Sequence, residues 1–191
     1  MNRKTLFTTS IYEKLNFLNE DEIKNLVQYI KENEVTTNNN HFIGDVHCSF
    51  NPEPVGFLDN FKELKNKIEE QIVDCAKMIG YPTSLCITNS WYNVQKEGSQ
   101  LVWHTHPNSL ISGVIYLKTD RNSSKLYFSN PNPILKTVSF VENNSDNFDS
   151  YSIVPEDGLM LMWPSWMLHG SHTDINNSEE RIAISFNTFY R

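Results

Sequence analysis

The spacing of apolar residues changes part-way along this chain. Up to Gly80 they recur every three or four positions, and from Leu85 onward they alternate with polar ones. Ile23, Leu26, Val27 and Ile30 stand at i, i+3, i+4 and i+7, the stripe of an amphipathic helix. Asn19 precedes the stripe and Glu22 follows three residues on, the spacing of a capping box. A longer helix is predicted from about Asp59 to Ile79. Phe61, Leu64, Ile68, Ile72, Cys75 and Ile79 form one face, Lys and Glu cover the other, and Gly80 with Pro82 ends it. Before both helices, Leu6 to Tyr12 is rich in β-branched and aromatic residues and reads as a first strand. Thr36 to Asn40 is polar and turn-like. His41 and His47 beside it have no partner at metal spacing and read as ordinary polar side chains. Residues 1–84 are thus read as mostly helical support packed on a sheet, with no chemical role demanded of them.

In the second half, Leu85, Ile87, Asn89, Trp91 and Asn93 fall on one face of a strand that Gly98 breaks. Leu101 to His104, Ile111 to Leu117, Lys125 to Ser129, Thr137 to Val141, Tyr151 to Val154, Leu159 to Trp163 and Ile182 to Phe189 continue the set. Short strands separated by Pro, Gly, Asn and Asp clusters predict an antiparallel sandwich or barrel, hence a mainly β chain of α+β class. No linker, repeat or low-complexity tract interrupts it, so residues 1–191 read as one domain with its core in 85–191. Asn143 to Ser150 reads as an exposed loop.

Charge and cysteine content narrow the partners. Sixteen basic residues against 23 acidic ones give a formal charge of −7, which disfavours nucleic acid because a phosphate-backbone binder shows a basic stripe. A local basic groove or a small acidic substrate stays compatible. Cys48, Cys75 and Cys86 are odd in number and lack CxxC spacing, as expected of free thiols in a reducing compartment. The basic start Met1 to Lys4 leads into no apolar run, and no window approaches the roughly 18 apolar residues of a membrane span. The expectation is a soluble, cytoplasmic protein with no membrane partner.

The chemistry centres on His104-Thr105-His106 and on His169. Residues i and i+2 of a strand project to one face, so His104 and His106 can converge on one ion, with His169 arriving from a distant strand. Three protein ligands leave positions open for other molecules, although imidazole suits Fe, Zn, Cu and Ni alike. Arg181 follows His169 by twelve residues, across a polar stretch from Thr173 to Glu180. An antiparallel return would bring it back along the barrel wall, where a guanidinium can grip a carboxylate bidentately. Ser185 falls on the same strand face. The competing reading of Arg181 is a surface charge answering Glu179 or Glu180.

These segments resemble the 2-oxoglutarate/Fe(II) dioxygenases, and more narrowly a phage and bacterial group of them. The resemblance is carried by Ser90-Trp91-Tyr92-Asn93 with Gly98, His104 to Ser109, Ser112 to Leu117, Pro164 to His169 and Arg181 to Asn187, in that order over about the last hundred residues. It implies a double-stranded β-helix (jelly-roll, cupin-like) with Fe(II) at one mouth and 2-oxoglutarate as cosubstrate. The implied reaction is hydroxylation of a substrate with release of succinate and CO2. His104 and His169 match the iron-binding histidines of the family, and Arg181 matches the residue that pairs with the far carboxylate of 2-oxoglutarate. Ser185, Tyr116 and Asn93 match positions beside it. If the chain is phage-encoded, its compartment is the host cytoplasm.

His106 departs from the family, whose commonest residue there is Asp or Glu. Three neutral imidazoles leave Fe(II) at +2. The favoured reading makes His106 the third ligand; the others put it beside a ligand position filled by water, or bypass it with a carboxylate such as Asp174. His172 reads as a rim residue. Trp91, Trp103, Trp163 and Trp166 either keep the site dry or pack the core. Two rivals stand: a cupin-like three-histidine dioxygenase that needs no 2-oxoglutarate, and a jelly-roll binding protein without turnover. A protein side chain, a nucleotide and a small molecule are all open as substrate. The loops expected to select it are Thr36 to Glu53, Asn130 to Pro133 and Asn143 to Ser150.

Overall fold

The first helix, α1 (Glu20–Glu32), begins where the capping box predicts. Asn19 Oδ1 accepts the Glu22 N–H at 2.9 Å, and the Glu22 carboxylate accepts the Asn19 N–H at 2.8 Å. Two amides that a helix start leaves free are thereby satisfied. α2 (Lys62–Ile79) starts three residues later than its periodicity suggests. Asp59 is occupied in a short 3-10 turn, Phe57–Asn60, where it accepts the Gly56 N–H at 2.7 Å and pairs with Lys65. Gly80 ends α2 in the left-handed region (φ 89°), a conformation that favours glycine. The computed structural model describes residues 2, 4, 6, 8–37, 39–51, 56–132, 137, 139–142, 144, 147–171 and 173–191.

The strands among these residues are β1 (Tyr12–Lys14), β2 (Phe42–Ile43), β3 (Val46–Cys48), β4 (Leu85–Lys96), β5 (Gln100–Leu101), β6 (Ile111–Lys118), β7 (Leu126–Ser129), β8 (Ser150–Ile153), β9 (Met160–Pro164), β10 (His169–Gly170) and β11 (Glu180–Tyr190). Every pairing is antiparallel. A six-stranded sheet runs β1-β9-β6-β11-β4-β3, a three-stranded sheet runs β10-β7-β8, and β2 pairs with β5.

Alternation along the central strands builds two cores. Ile111, Ile115 and Leu117 of β6, Met160 and Met162 of β9, and Ile182, Ile184 and Phe186 of β11 pack with Leu26, Ile30, Ile68 and Ile72 of the helices. The intervening residues Val114, Tyr116, Leu161, Trp163 and Ala183 face the other way and meet Leu126 and Phe128 of the small sheet. The large sheet is therefore buried on both faces, and the second core borders the pocket that holds the site.

Four sequence expectations are corrected here. The first strand is Tyr12–Lys14, because the free edge of β9 is met only from Tyr12 onward; of the expected strand, Phe7 lies outside the described residues. In β4, Leu85 and Ile87 face the helices whereas Trp91 and Asn93 line the pocket. The cause is a register shift opposite Asn187 and Thr188 that leaves Thr88 unpaired and reverses which face later residues use. Ser139, Phe140 and Val141 form no strand, and Val138 lies outside the described residues. The stretch expected to be a loop from Thr36 holds β2 and β3, the latter extending the large sheet. Cys48 and Cys75 are buried and Cys86 half-buried, all three free; burial pushes the Cys75 thiol up to about 12, so it is unreactive. No helix of the described residues is long and apolar enough to cross a membrane.

One carboxylate ties four elements together. Glu180, at the start of β11, receives Lys31 from α1 at 3.0 Å and Lys96 from β4 and Lys118 from β6 at 2.7 Å each. Burial alone would raise its pKa, but the three ammonium groups outweigh that and hold it at about 2. With the folded value below the ordinary 4.5, this stabilisation is complete above about pH 4.5 and is lost as pH falls toward 2. The lysine side chains are 29–46% exposed, so screening keeps the effect modest. Glu180→Gln is expected to cost about 1 kcal/mol at neutral pH. In thermal unfolding followed against pH, its gap from the parent protein should close between pH 4.5 and 2.

Candidate functional site

Two short segments bring the three histidines together. His104 and His169 form an isolated antiparallel bridge, each N–H reaching the other's carbonyl at 2.9 and 3.0 Å, and the His106 N–H donates to the Ser165 carbonyl at 3.0 Å. One ligand-capable nitrogen from each of His104, His106 and His169 lies within 4.8 Å of the others. The rings of His106 and His169 are stacked at 4.9 Å, and those of His104 and His169 sit 4.3 Å apart.

Backbone carbonyls set the tautomers. His104 Nδ1 lies 2.9 Å from the Val102 carbonyl and His169 Nδ1 2.8 Å from the Met167 carbonyl. A carbonyl only accepts, so both Nδ1 atoms carry the hydrogen and both Nε2 lone pairs are free for an ion. His106 Nε2 is 3.1 Å from His169 Nε2, about the separation of neighbouring nitrogen ligands roughly 2.1 Å from one metal ion. Burial, reinforced by the neighbouring imidazoles, lowers His104 to about 4 and His106 to about 3, and takes His169 well below the ordinary range. All three are neutral near pH 7, the state that binds metal. The donor set and its protonation fit a transition-metal ion.

The pocket of about 230 Å³ beside them also contains Arg181, Tyr116, Ser185 and Asn93. Arg181 is 4% exposed and forms no ion pair with any acidic side chain among the described residues. Its Nη2 donates to the Tyr116 hydroxyl at 3.3 Å, its guanidinium lies 4.8 Å from the Tyr116 ring centre, and its Nε has no partner. Burial raises the Tyr116 phenol, against the pull of Arg181, so it keeps its proton. Asn93 Nδ2 donates to Ser185 Oγ at 3.2 Å. Arg181 and Ser185 thus share the pocket face, as their spacing predicts. Arg181 arrives differently from the sequence reading, however: β10 belongs to the small sheet and β11 to the large one, so it faces the His169 segment across the pocket.

Other candidates fall away or appear. The Asp174 carboxylate accepts the Lys125 N–H at 2.8 Å and lies outside the histidine group; His172 is outside the described residues. His47 is paired with Glu34 and Asp45, an ordinary polar role. His41 is not ordinary: its ring stacks on His104 at 4.4 Å, and with Asn39, Phe42 and Phe50 it lines the pocket, so the first 84 residues do reach the site. The β2–β5 pairing places it there, a long-range contact without local signal. Trp91 and Trp163 line the pocket, whereas Trp166 is exposed.

A row of buried and half-buried hydroxyls supports the wall behind His106. Ser165, whose carbonyl holds the His106 amide, lies 2.7 Å from Ser112 Oγ and 2.8 Å from Ser109 Oγ. Ser112 Oγ contacts Asn187 Oδ1 in the pocket wall at 2.8 Å, and Ser109 Oγ contacts the Thr188 carbonyl at 3.1 Å.

Gly170 permits the close approach of the two histidine segments. A Cβ there would sit 2.9 Å from the Val102 carbonyl oxygen and 3.0 Å from that of Leu101. The Val102 carbonyl is the one that orients His104. Gly170→Ala should therefore tilt His104 and weaken metal affinity by roughly 10–100-fold, the usual effect of disturbing a ligand's support. Competition against a chromogenic chelator measures this, and unaltered affinity would contradict it.

Comparison with known proteins agrees with this geometry. A sequence model of the family described as "Putative 2OG-Fe(II) oxygenase" matches residues 89–187, just over half of the chain. No curated protein matches the sequence. Among solved structures, a prolyl-4-hydroxylase from Pseudomonas putida aligns at TM-score 0.60 and 13% identity, covering 96% of this chain and 94% of its own. HygX from Streptomyces hygroscopicus, with nickel and 2-oxoglutarate bound, aligns at TM-score 0.66 and 12% identity, covering 95% and 83%. A prolyl hydroxylase from Trichoplax adhaerens, in complex with a hypoxia inducible factor peptide fragment, aligns at TM-score 0.65 and 16% identity, covering 96% and 84%. The shared fold is the double-stranded β-helix. This chain belongs to the 2OG-Fe(II) oxygenases, and its cofactors are Fe(II) and 2-oxoglutarate.

Proposed function

We propose that His104, His106 and His169 hold the iron, and that Arg181 binds the far carboxylate of 2-oxoglutarate with Tyr116, Ser185 and Asn93 beside it. The observation that carries this reading is a buried guanidinium, without an acidic partner among the described residues, in the same pocket as three convergent neutral imidazoles. A charge so placed costs several kcal/mol unless an anion joins it. A dicarboxylate that reaches from the histidines to Arg181 supplies that anion. The 3.1 Å spacing of the His106 and His169 nitrogens supports His106 as the third ligand, as does the place of Asp174, which accepts the Lys125 N–H and lies outside the histidine group.

When bound, iron and 2-oxoglutarate together supply the oxygen-activating chemistry, with succinate and CO2 as products. The chain's own residues bind, orient and shield. Arg181 fixes the cosubstrate by charge-assisted hydrogen bonds, and the Tyr116 phenol, held protonated, can donate a further one. Trp91 and Trp163 exclude water from the pocket walls. Hydroxylation of an uncomplexed C–H group is the proposed outcome. The packing of α1 and α2 on the large sheet supports residues 1–191 working as one domain.

Substrate choice is assigned to the outer rim, where His41, Phe42 and Phe50 join Pro107 and Trp91. HygX has hygromycin B bound beside nickel and 2-oxoglutarate, and the Trichoplax enzyme a hypoxia inducible factor peptide fragment, so a protein side chain, a nucleotide and a small molecule are all to be screened by cosubstrate consumption.

Anaerobic addition of Fe(II) and then 2-oxoglutarate should produce a weak visible charge-transfer band. Arg181→Ala should retain metal uptake and lose the band at 2-oxoglutarate concentrations that saturate the parent protein. A band of undiminished affinity in Arg181→Ala would overturn the role given to Arg181, and no metal uptake by the parent protein would sink the proposal.

A further inference from the structure

At the inner end of the pocket two complementary polar atoms are buried without partners: Gln95 Oε1, an acceptor, and Arg181 Nε, a donor. The side chains belong to residues 2% and 4% exposed, and both line the pocket. They also stand directly opposite one another in the antiparallel pairing of β4 with β11, where side chains on a common face lie roughly 5 Å apart at Cβ. Of the other unpartnered atoms in the pocket wall, Trp163 Nε1 belongs to β9, which β6 and β11 separate from β4. Asn93 Oδ1 is a second acceptor and cannot satisfy Gln95 Oε1.

The backbone at Gln95 is held firmly. Its carbonyl and that of Lys96 both accept from Nδ2 of Asn176, a residue with no exposed surface, at 3.3 and 3.1 Å. β3 pairs along its other edge, Val46 opposite Gln95. The side chain therefore projects from a strand fixed on both sides, and its amide has Arg181 as its charged neighbour across the ladder.

We infer that Gln95 is a positioning residue for Arg181. Its Oε1 takes the Nε–H, so that the two Nη ends of the guanidinium point toward the far carboxylate of the cosubstrate. The inference rests on the role proposed above for Arg181. A dianionic cosubstrate offers no hydrogen to Gln95 Oε1, whereas Arg181 Nε offers one. The opposite amide orientation would set Nε2–H against Nε–H, donor against donor. Neutrality matters as much as geometry. A carboxylate at this position would neutralise Arg181 from within the protein, and the carboxamide orients it while leaving its charge for the ligand.

The test uses Fe(II)-loaded protein without oxygen, titrated with 2-oxoglutarate and separately with pyruvate, a 2-oxo acid that lacks the far carboxylate. Gln95→Glu should raise the Kd for 2-oxoglutarate by about 100-fold or more, since it installs a rival anion beside Arg181. Gln95→Leu should raise it about tenfold, the loss of one hydrogen bond to a charged group. Neither should change the pyruvate Kd by more than about twofold. Because Gln95→Leu introduces no charge, it decides the matter if Gln95→Glu fails to fold. Unchanged 2-oxoglutarate affinity in either folded variant overturns the inference, as does an equal loss of pyruvate, which would mark a general structural defect. If the parent protein binds 2-oxoglutarate no more tightly than pyruvate, the role of Arg181 itself is wrong.

Discussion

A guanidinium buried without a carboxylate partner among the described residues is the most demanding feature of this molecule, and much of the structure answers to it. A strand places adjacent residues on opposite faces, and β11 uses this to separate Glu180 from Arg181. The acid turns outward, where three lysines from α1, β4 and β6 saturate it. The base turns inward to a tyrosine ring, a phenol and a row of amides. The nearest acid in sequence is held on the far face of the strand and neutralised there. The ionic cluster on the outside of the sheet thus helps keep the charge on its inside available.

The metal site follows a parallel logic, with desolvation in place of charge. Burial keeps the three imidazoles neutral, and two backbone carbonyls fix which nitrogen of His104 and His169 faces the centre. Neutral ligands leave the full charge of the ion in place. A dianionic cosubstrate would balance that charge, with Arg181, in the role proposed for it, at its other end.

Much of this was legible in the sequence. The alternation after Leu85, the capping box at Asn19 and Glu22, and the order of His104, His106, His169 and Arg181 are local or ordered signals, and each predicts its place in the structure. What escaped depends on contacts between distant segments. The shift at Thr88, which turns Trp91 and Asn93 inward while Leu85 and Ile87 face the helices, arises only when β4 meets β11. His41 looks like any polar histidine until β2 pairs with β5 and lays it over His104. That Asp174 accepts the Lys125 amide, outside the histidine group, likewise shows only once the chain is folded. Gln95, with no charge and no motif, gave no signal that it stands opposite Arg181.

The hydroxyl row behind His106 has a consequence for proton counting. From Asn187 Oδ1 through Ser112, Ser165 and Ser109 the row ends at Thr188, whose carbonyl lies 3.1 Å from Ser109 Oγ and whose N–H donates to the same oxygen at 3.2 Å. With the Thr188 N–H donating at that end, all three hydroxyls can point toward Asn187, whose Oδ1 accepts from Ser112. With Ser109 donating to the Thr188 carbonyl instead, they point the other way and Ser112 needs the Asn187 NH2 as its donor. The polarity of that corner, donor or acceptor, is governed from outside the pocket by the direction in which three serine hydroxyls point.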